Sequence, residues 1–105
     1  MSERSDMTAI VQPMLFPLGQ QLMTRGVANR LVEDEAFARF VAESMRRHAS
    51  GDWGDLGEED KQENAFALAN GFRLLSAYER EGMPKVWIVT ERDRSATTVL
   101  FPEEY

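Results

Sequence analysis

Six carboxylates crowd into twelve residues of this chain: Asp52, Asp55, Glu58, Glu59, Asp60 and Glu63, with Lys61 as the one base among them. The 105 residues together carry a formal charge of −6, so this stretch holds nearly all of the imbalance. Carboxylates at that density can ligate a hard cation or show a negative face to a basic partner. A calcium or magnesium site would draw on Asp52, Asp55, Glu58, Glu59 and Asp60. Their spacing lacks the alternating acids, central Gly and terminal Glu of a calcium loop, so neither metal nor other cofactor is expected. Trp53 sits among the acids. It either pins its loop to the domain or stands out as an interface anchor, a role in which tryptophan is favoured.

Covalent and acid–base chemistry have little to work with. There is one histidine, His48, and no cysteine, which removes His-rich zinc sites within one chain, thiolate metal sites, disulfides and cysteine nucleophiles. Ser44 lies one helical turn before His48, close enough for the two to meet. The plainer reading makes Ser44 a small packing residue and His48 a helix-terminal or interface histidine. The chain has no Gly-x-Ser-x-Gly elbow, Walker-type loop or dinucleotide glycine fingerprint. No enzymatic activity is expected.

Composition narrows the classes further. Hydrophobic residues make up 43% and charged residues 29%, ordinary for a globular domain. Direct nucleic-acid binding is not expected, because phosphate neutralisation needs clustered Lys and Arg. The compact basic group Arg46-Arg47-His48 falls at the end of an expected helix, where cations suit the macrodipole. No apolar run approaches the ~20 residues of a membrane span, and the first residues lack a basic n-region with an apolar h-region. The expected setting is the cytoplasm, with no membrane partner.

Residues 1–12 have no clear periodicity and are expected to form a flexible N-terminus, followed by a single domain over 13–105. Residues 18–23 fit a strand, and Thr24 fits the N-cap of a short helix ending near Val32, although Gly26 weakens it. Asp34 is placed to cap a helix running to about His48, whose buried stripe is Phe37, Phe40, Val41, Ser44, Met45 and His48. Gly51, Gly54 and Gly57 make the first half of the acidic segment a loop. A helix then runs from Glu58 to about Ala69, with Phe66 and Ala69 as its inner face and Asn70-Gly71 as its stop. Beyond Gly71 the period changes. Residues 72–78, 85–90 and 96–101 read as three strands joined by short turns, with Trp87 in the core. The expected fold is α+β: two to three N-terminal helices packed on a C-terminal three- to four-stranded antiparallel sheet.

The block Gly51-Asp52-Trp53-Gly54-Asp55-Leu56, with Glu58-Glu59-Asp60 and Asn64, resembles a family of short bacterial open reading frames. The likeness continues through Arg73-Leu74-Leu75-Ser76-Ala77-Tyr78, Lys85-Val86-Trp87-Ile88-Val89-Thr90-Glu91, Asp93-Arg94-Ser95-Ala96-Thr97-Thr98-Val99-Leu100 and Pro102-Glu103-Glu104-Tyr105. Members of that family are frequent on plasmids, phages and other mobile elements and usually lack an assigned activity. The resemblance implies a mobile-element setting, in which small acidic proteins often counter host defence. It brings no catalytic residues.

Charge and setting together yield the functional expectation. The acidic run has a plain reading, solubility plus capping of one helix, and a sharper one, imitation of DNA. Glu59 and Glu63 on one helix face are about 6 Å apart, within a factor of two of the phosphate spacing along a strand. The sharper reading expects an anti-CRISPR inhibitor of a host effector complex. Its partner-binding residues are Asp52, Trp53, Asp55, Glu58, Glu59, Asp60 and Glu63, with Glu103 and Glu104 as additions. An anti-restriction protein is the alternative, and a small interaction module using Trp53 and the sheet is another. The partner is a host defence protein or nucleoprotein complex, and a monomer is favoured over a dimer. Arg92 and Arg94, flanking Asp93, would pair with nearby acids or bind a partner's carboxylate or phosphate.

Overall fold

The structure is a computed structural model that describes residues 14–105; the flexible tail expected over 1–12 lies outside the described residues. The elements run β1 (Gln20–Met23), α1 (Arg25–Glu33), α2 (Glu35–Ala49), α3 (Glu58–Asn70), β2 (Leu74–Tyr78), β3 (Val86–Thr90) and β4 (Ala96–Leu100), with a 3-10 turn at Pro102–Glu104. The architecture is α+β, with the three helices N-terminal to most of the sheet.

Local chemistry accounts for the helices. Thr24 caps α1, its hydroxyl accepting from the Val27 N–H at 3.5 Å. Asp34 closes α1 and opens α2 by accepting from the Phe37 N–H at 3.1 Å, while Arg30 from the preceding turn bonds the same carboxylate at 3.1 Å. One aspartate therefore serves both helices with no linker between them. The apolar stripe of α2 is buried as its spacing predicts: Phe37, Phe40, Val41, Ser44 and His48 all face inward.

β2, β3 and β4 form the expected antiparallel meander, with Leu75 opposite Val89 and Ile88 opposite Val99. The sheet as a whole is mixed, in the order β1-β4-β3-β2, because β1 runs parallel to β4. This corrects the all-antiparallel expectation, and the reason is connectivity. A hairpin forces antiparallel pairing, whereas a long crossover through helices permits and usually produces parallel pairing. All three helices lie between β1 and the meander, and β1 docks through Gln20 N–H to the Ser95 carbonyl at 2.9 Å and Thr24 N–H to the Val99 carbonyl at 3.1 Å.

The core lies between α1–α2 and one sheet face. Val27, Phe37, Phe40 and Val41 pack there on Tyr78, Val86, Ile88 and Val99. A second cluster gathers Phe16, Leu18, Ala49, Trp53, Ala67 and Leu74. Strand alternation then decides Trp87. Val86, Ile88 and Thr90 point to the helices, so Trp87 points to the opposite face and is only half-buried. Its expected place in the core is corrected accordingly.

Candidate partner-binding face

The loop that carries Asp52, Trp53 and Asp55 is built into the sheet edge. Trp53 is only 8% exposed; its indole stacks near Phe16 at 6.3 Å and meets His48 edge-on at 5.8 Å. The Ala77 N–H donates to the Trp53 carbonyl at 3.3 Å, and the Asp55 N–H donates to the Ala77 carbonyl at 2.7 Å. Gly54 makes this approach feasible. Its φ is +77°, and a Cβ there would collide with the Ala77 carbonyl and the Tyr78 ring. The Trp53 side chain pins the loop from within, so the idea of an exposed Trp53 anchor is corrected.

The two aspartates of the loop are exposed and also make internal bonds. Arg47 grips Asp52 with Nε at 2.7 Å and Nη2 at 3.2 Å, and the Gly54 N–H adds a third bond at 3.0 Å. This bonding, Arg47 foremost, holds the Asp52 carboxyl below its ordinary range, and Asp52 in turn raises Arg47. The same guanidinium lies 5.0 Å over the Tyr78 ring, whose hydroxyl donates to the Asp52 carbonyl at 2.7 Å. Asp55 Oδ2 accepts from the Glu79 N–H at 2.8 Å. Glu104 is likewise engaged: its carboxylate accepts from the Thr24 hydroxyl, from the Gly26 N–H at 3.1 Å and from the Phe101 N–H at 2.9 Å. It thus caps α1 from the far end of the chain and leaves no room for a Cβ at position 26. Asp52, Asp55 and Glu104 help build the fold while all three remain exposed, and Asp55 also lines the groove beside α3.

Glu58, Glu59, Asp60 and Glu63 are different. All four are exposed on α3, and none joins an ion pair among the described residues. Three occupy the first turn, where Gly57 supplies no side-chain cap and the N-terminal N–H groups favour negative charge. The inner face of α3 is not Phe66 and Ala69, which are exposed, but Asn64 and Ala67, which are buried. Positions 64, 67 and 68 make the i, i+3, i+4 stripe, and Phe66 falls on the other side of the helix. Asn64 holds α3 in place by imitating a strand. Its amide donates to the Leu75 carbonyl and its Oδ1 accepts from the Leu75 N–H at 3.2 Å. Together with the Trp53–Asp55 loop it closes the outer edge of β2 to further pairing.

Between α3 and the helix-free face of the sheet lies an open groove of about 970 Å³. Glu59, Asp60 and Glu63 form one wall, Leu75 and Trp87 lie on its floor, and Phe66 and Phe72 line it as well. The two phenylalanines are 61% and 44% exposed and stack with ring centroids 5.9 Å apart and planes at 16°. Two bases also line the groove. Arg73 bonds the Tyr105 hydroxyl and lies 5.1 Å over its ring, and Lys85 is 3.5 Å from Glu79. Asp55, Glu59, Asp60 and Glu63 outnumber these two cations in the lining, so the groove is net negative. Sequence reasoning missed Phe66, Phe72 and Trp87 as groove residues. Strict alternation around Trp87 was the available signal, but apolar neighbours on both sides masked which face was covered.

The remaining candidates have internal roles. Arg94 adopts φ +61° and donates to the Phe72 carbonyl at 2.7 Å and the Glu91 carbonyl at 3.1 Å. Arg92 lies 5.9 Å over the Phe72 ring. His48 lies in the last turn of α2 as expected, but it is fully buried and not interfacial, and its partners are Ser76 and Thr90, not Ser44. Proton bookkeeping fixes its tautomer. Thr97 donates to the Leu18 carbonyl at 2.7 Å, so Thr90 donates to Thr97 at 2.7 Å and must accept from His48 Nε2–H at 2.8 Å. Nδ1 then accepts from the Ser76 hydroxyl. Ser76 and His48 are both sealed from solvent, so this relay braces α2 against three strands. Among the described residues no three carboxylate or imidazole groups converge on a metal-sized site, and no helix is long and apolar enough to cross a membrane.

No protein-family profile, curated protein or solved structure matches this chain.

Proposed function

We propose that this protein is a non-enzymatic, cytoplasmic inhibitor from a mobile element. Its α3 face docks on a basic nucleic-acid-binding surface of a host defence complex, with a CRISPR effector as first choice of target and a restriction complex as second. The observation that carries this reading is the set of exposed α3 carboxylates that join no ion pair among the described residues: Glu59, Asp60 and Glu63 along the groove, with Glu58 on another side of the first turn. Such charges attract a cationic channel over about a Debye length, ~8 Å at physiological salt, and speed association more than they deepen affinity. Trp53 pins the loop beside this face from within, and Asp55 adds its own exposed carboxylate to the groove. The variant Glu58→Lys/Glu59→Lys/Glu63→Lys changes only exposed side chains; the two lysines in the first turn of α3 cost about 0.3–1 kcal/mol each, which leaves the fold intact, as circular dichroism should confirm. Pull-downs from bacterial lysate at low and high salt, with target DNA binding measured on the recovered complex, test the reading. The parent should recover a basic nucleoprotein complex at low salt and block its DNA binding, and the folded variant should do neither. Full inhibition by that variant would refute the mechanism.

A further inference from the structure

We infer that the groove beside α3 receives an amphipathic helix of the partner protein, with a row of Lys or Arg set against the acidic wall and an apolar row lying on Leu75, Trp87 and the Phe66–Phe72 stack. This deepens the docking reading above and rests on it. A purely electrostatic face has no need of exposed aromatics, yet two stacked phenylalanines and a half-buried tryptophan line the same groove as Glu59, Asp60 and Glu63. Large aromatic side chains left open beside charge are the usual anchors of a protein interface. The dimensions agree. α3 has 13 residues, a wall of about 20 Å at 1.5 Å per residue, which matches three to four turns of a second helix laid alongside.

Charge complementarity selects the occupant. The lining sets four carboxylates, Asp55, Glu59, Asp60 and Glu63, against two cations, Arg73 and Lys85, and Lys85 is paired with Glu79, so the net charge is acidic and calls for a basic partner segment. Nucleic acid is repelled by that wall. A second copy of this chain would bring a net charge of −6 against it. Lys or Arg side chains reaching across the groove also gain from the faces of Phe66 and Trp87, since cations are attracted to aromatic rings.

The probe is a 14-residue peptide of Leu and Lys with Leu at helical spacing, compared with its Leu/Glu counterpart and with a scrambled Leu/Lys sequence that has no apolar stripe. Binding is read by fluorescence of Trp87 in a Trp53→Phe background and by calorimetry on the full chain. The amphipathic Leu/Lys peptide should bind and shift the Trp87 emission, while the other two peptides should bind at least about tenfold more weakly. Phe66→Ser/Phe72→Ser alters exposed positions and should weaken the Leu/Lys peptide about tenfold or more, while the variant keeps its circular dichroism spectrum and a cooperative melt. Glu59→Lys/Glu63→Lys should weaken it as well, and more at low salt than at high. If the charge reversal abolishes binding but the phenylalanine variant binds like the parent, the apolar half of this inference is overturned while the docking reading survives. Insensitivity to both overturns both. Concentration-dependent dimers lost in Phe66→Ser/Phe72→Ser would assign the groove to a second copy and overturn the inference.

Discussion

Lowering the pH from 8 to 5 should remove about 2 kcal/mol from the stability of this protein through His48 alone. Burial without a charge partner, and secondarily the field of Arg94, push its pKa from 6.5 down to about 4. In the unfolded chain the imidazole takes its proton near 6.5, so between the two values the unfolded state binds more protons and stability falls as pH falls. The contribution is complete above about 6.5, shrinks by about 2 kcal/mol at pH 5 and approaches about 3 kcal/mol near pH 4. The structure gives the reason. Nε2 already donates to Thr90, and Nδ1 accepts from Ser76, so an added proton on Nδ1 confronts a donor in a sealed site. Asp34, Asp52, Asp93, Glu43 and Glu104 are all held below their ordinary values, so their loss begins mainly below pH 4.5 and leaves the upper window to His48. Urea unfolding at pH 8, 7, 6 and 5 measures the effect. With a slope of roughly 1–2 kcal/mol/M for a chain this size, the midpoint should drop by roughly 1–2 M. His48→Gln keeps a donor and an acceptor but does not titrate, so its stability should be flat over the same range. A parent whose stability is also flat, or an NMR titration of His48 near 6.5, would refute the reasoning.

Three other perturbations test the supports of the α3 face. Asn64→Ala removes both side-chain bonds to Leu75 and should cost about 1–3 kcal/mol, with hydrogen exchange at the Leu75 amide rising far more than at Ile88. Gly54→Ala drives a Cβ into the Ala77 carbonyl at a φ of +77° and should lower stability by about 2 kcal/mol or more, seen as a lower Tm with red-shifted emission as Trp53 leaves its pocket. Glu104→Ala strips α1 of its long-range cap and should cost about 1 kcal/mol in thermal melts, with faster amide exchange confined to the first turn of α1.

Much of this fold is legible in the chain because the forces involved are local. Asp34, the Phe37–Phe40–Val41–Ser44 stripe and the Asn70-Gly71 stop act within one or two helical turns, and the meander follows from period-2 runs joined by short turns. The acids of the first turn of α3, Glu58, Glu59 and Asp60, were also readable in place and remain exposed. What only the tertiary structure decided depends on partners distant in sequence. Asp55 meets Glu79 24 residues away and Glu104 meets Thr24 80 residues away, so neither could be separated from the free acids by composition. Trp53 went inward because the Gly54 turn lays its loop on β2, and Trp87 went outward because α1 and α2 cover the other face of its strand. β1 took its parallel direction from three intervening helices. Local spacing sets caps, stripes and turns; which side of a strand is covered, and which charge is neutralised, is decided when remote segments meet.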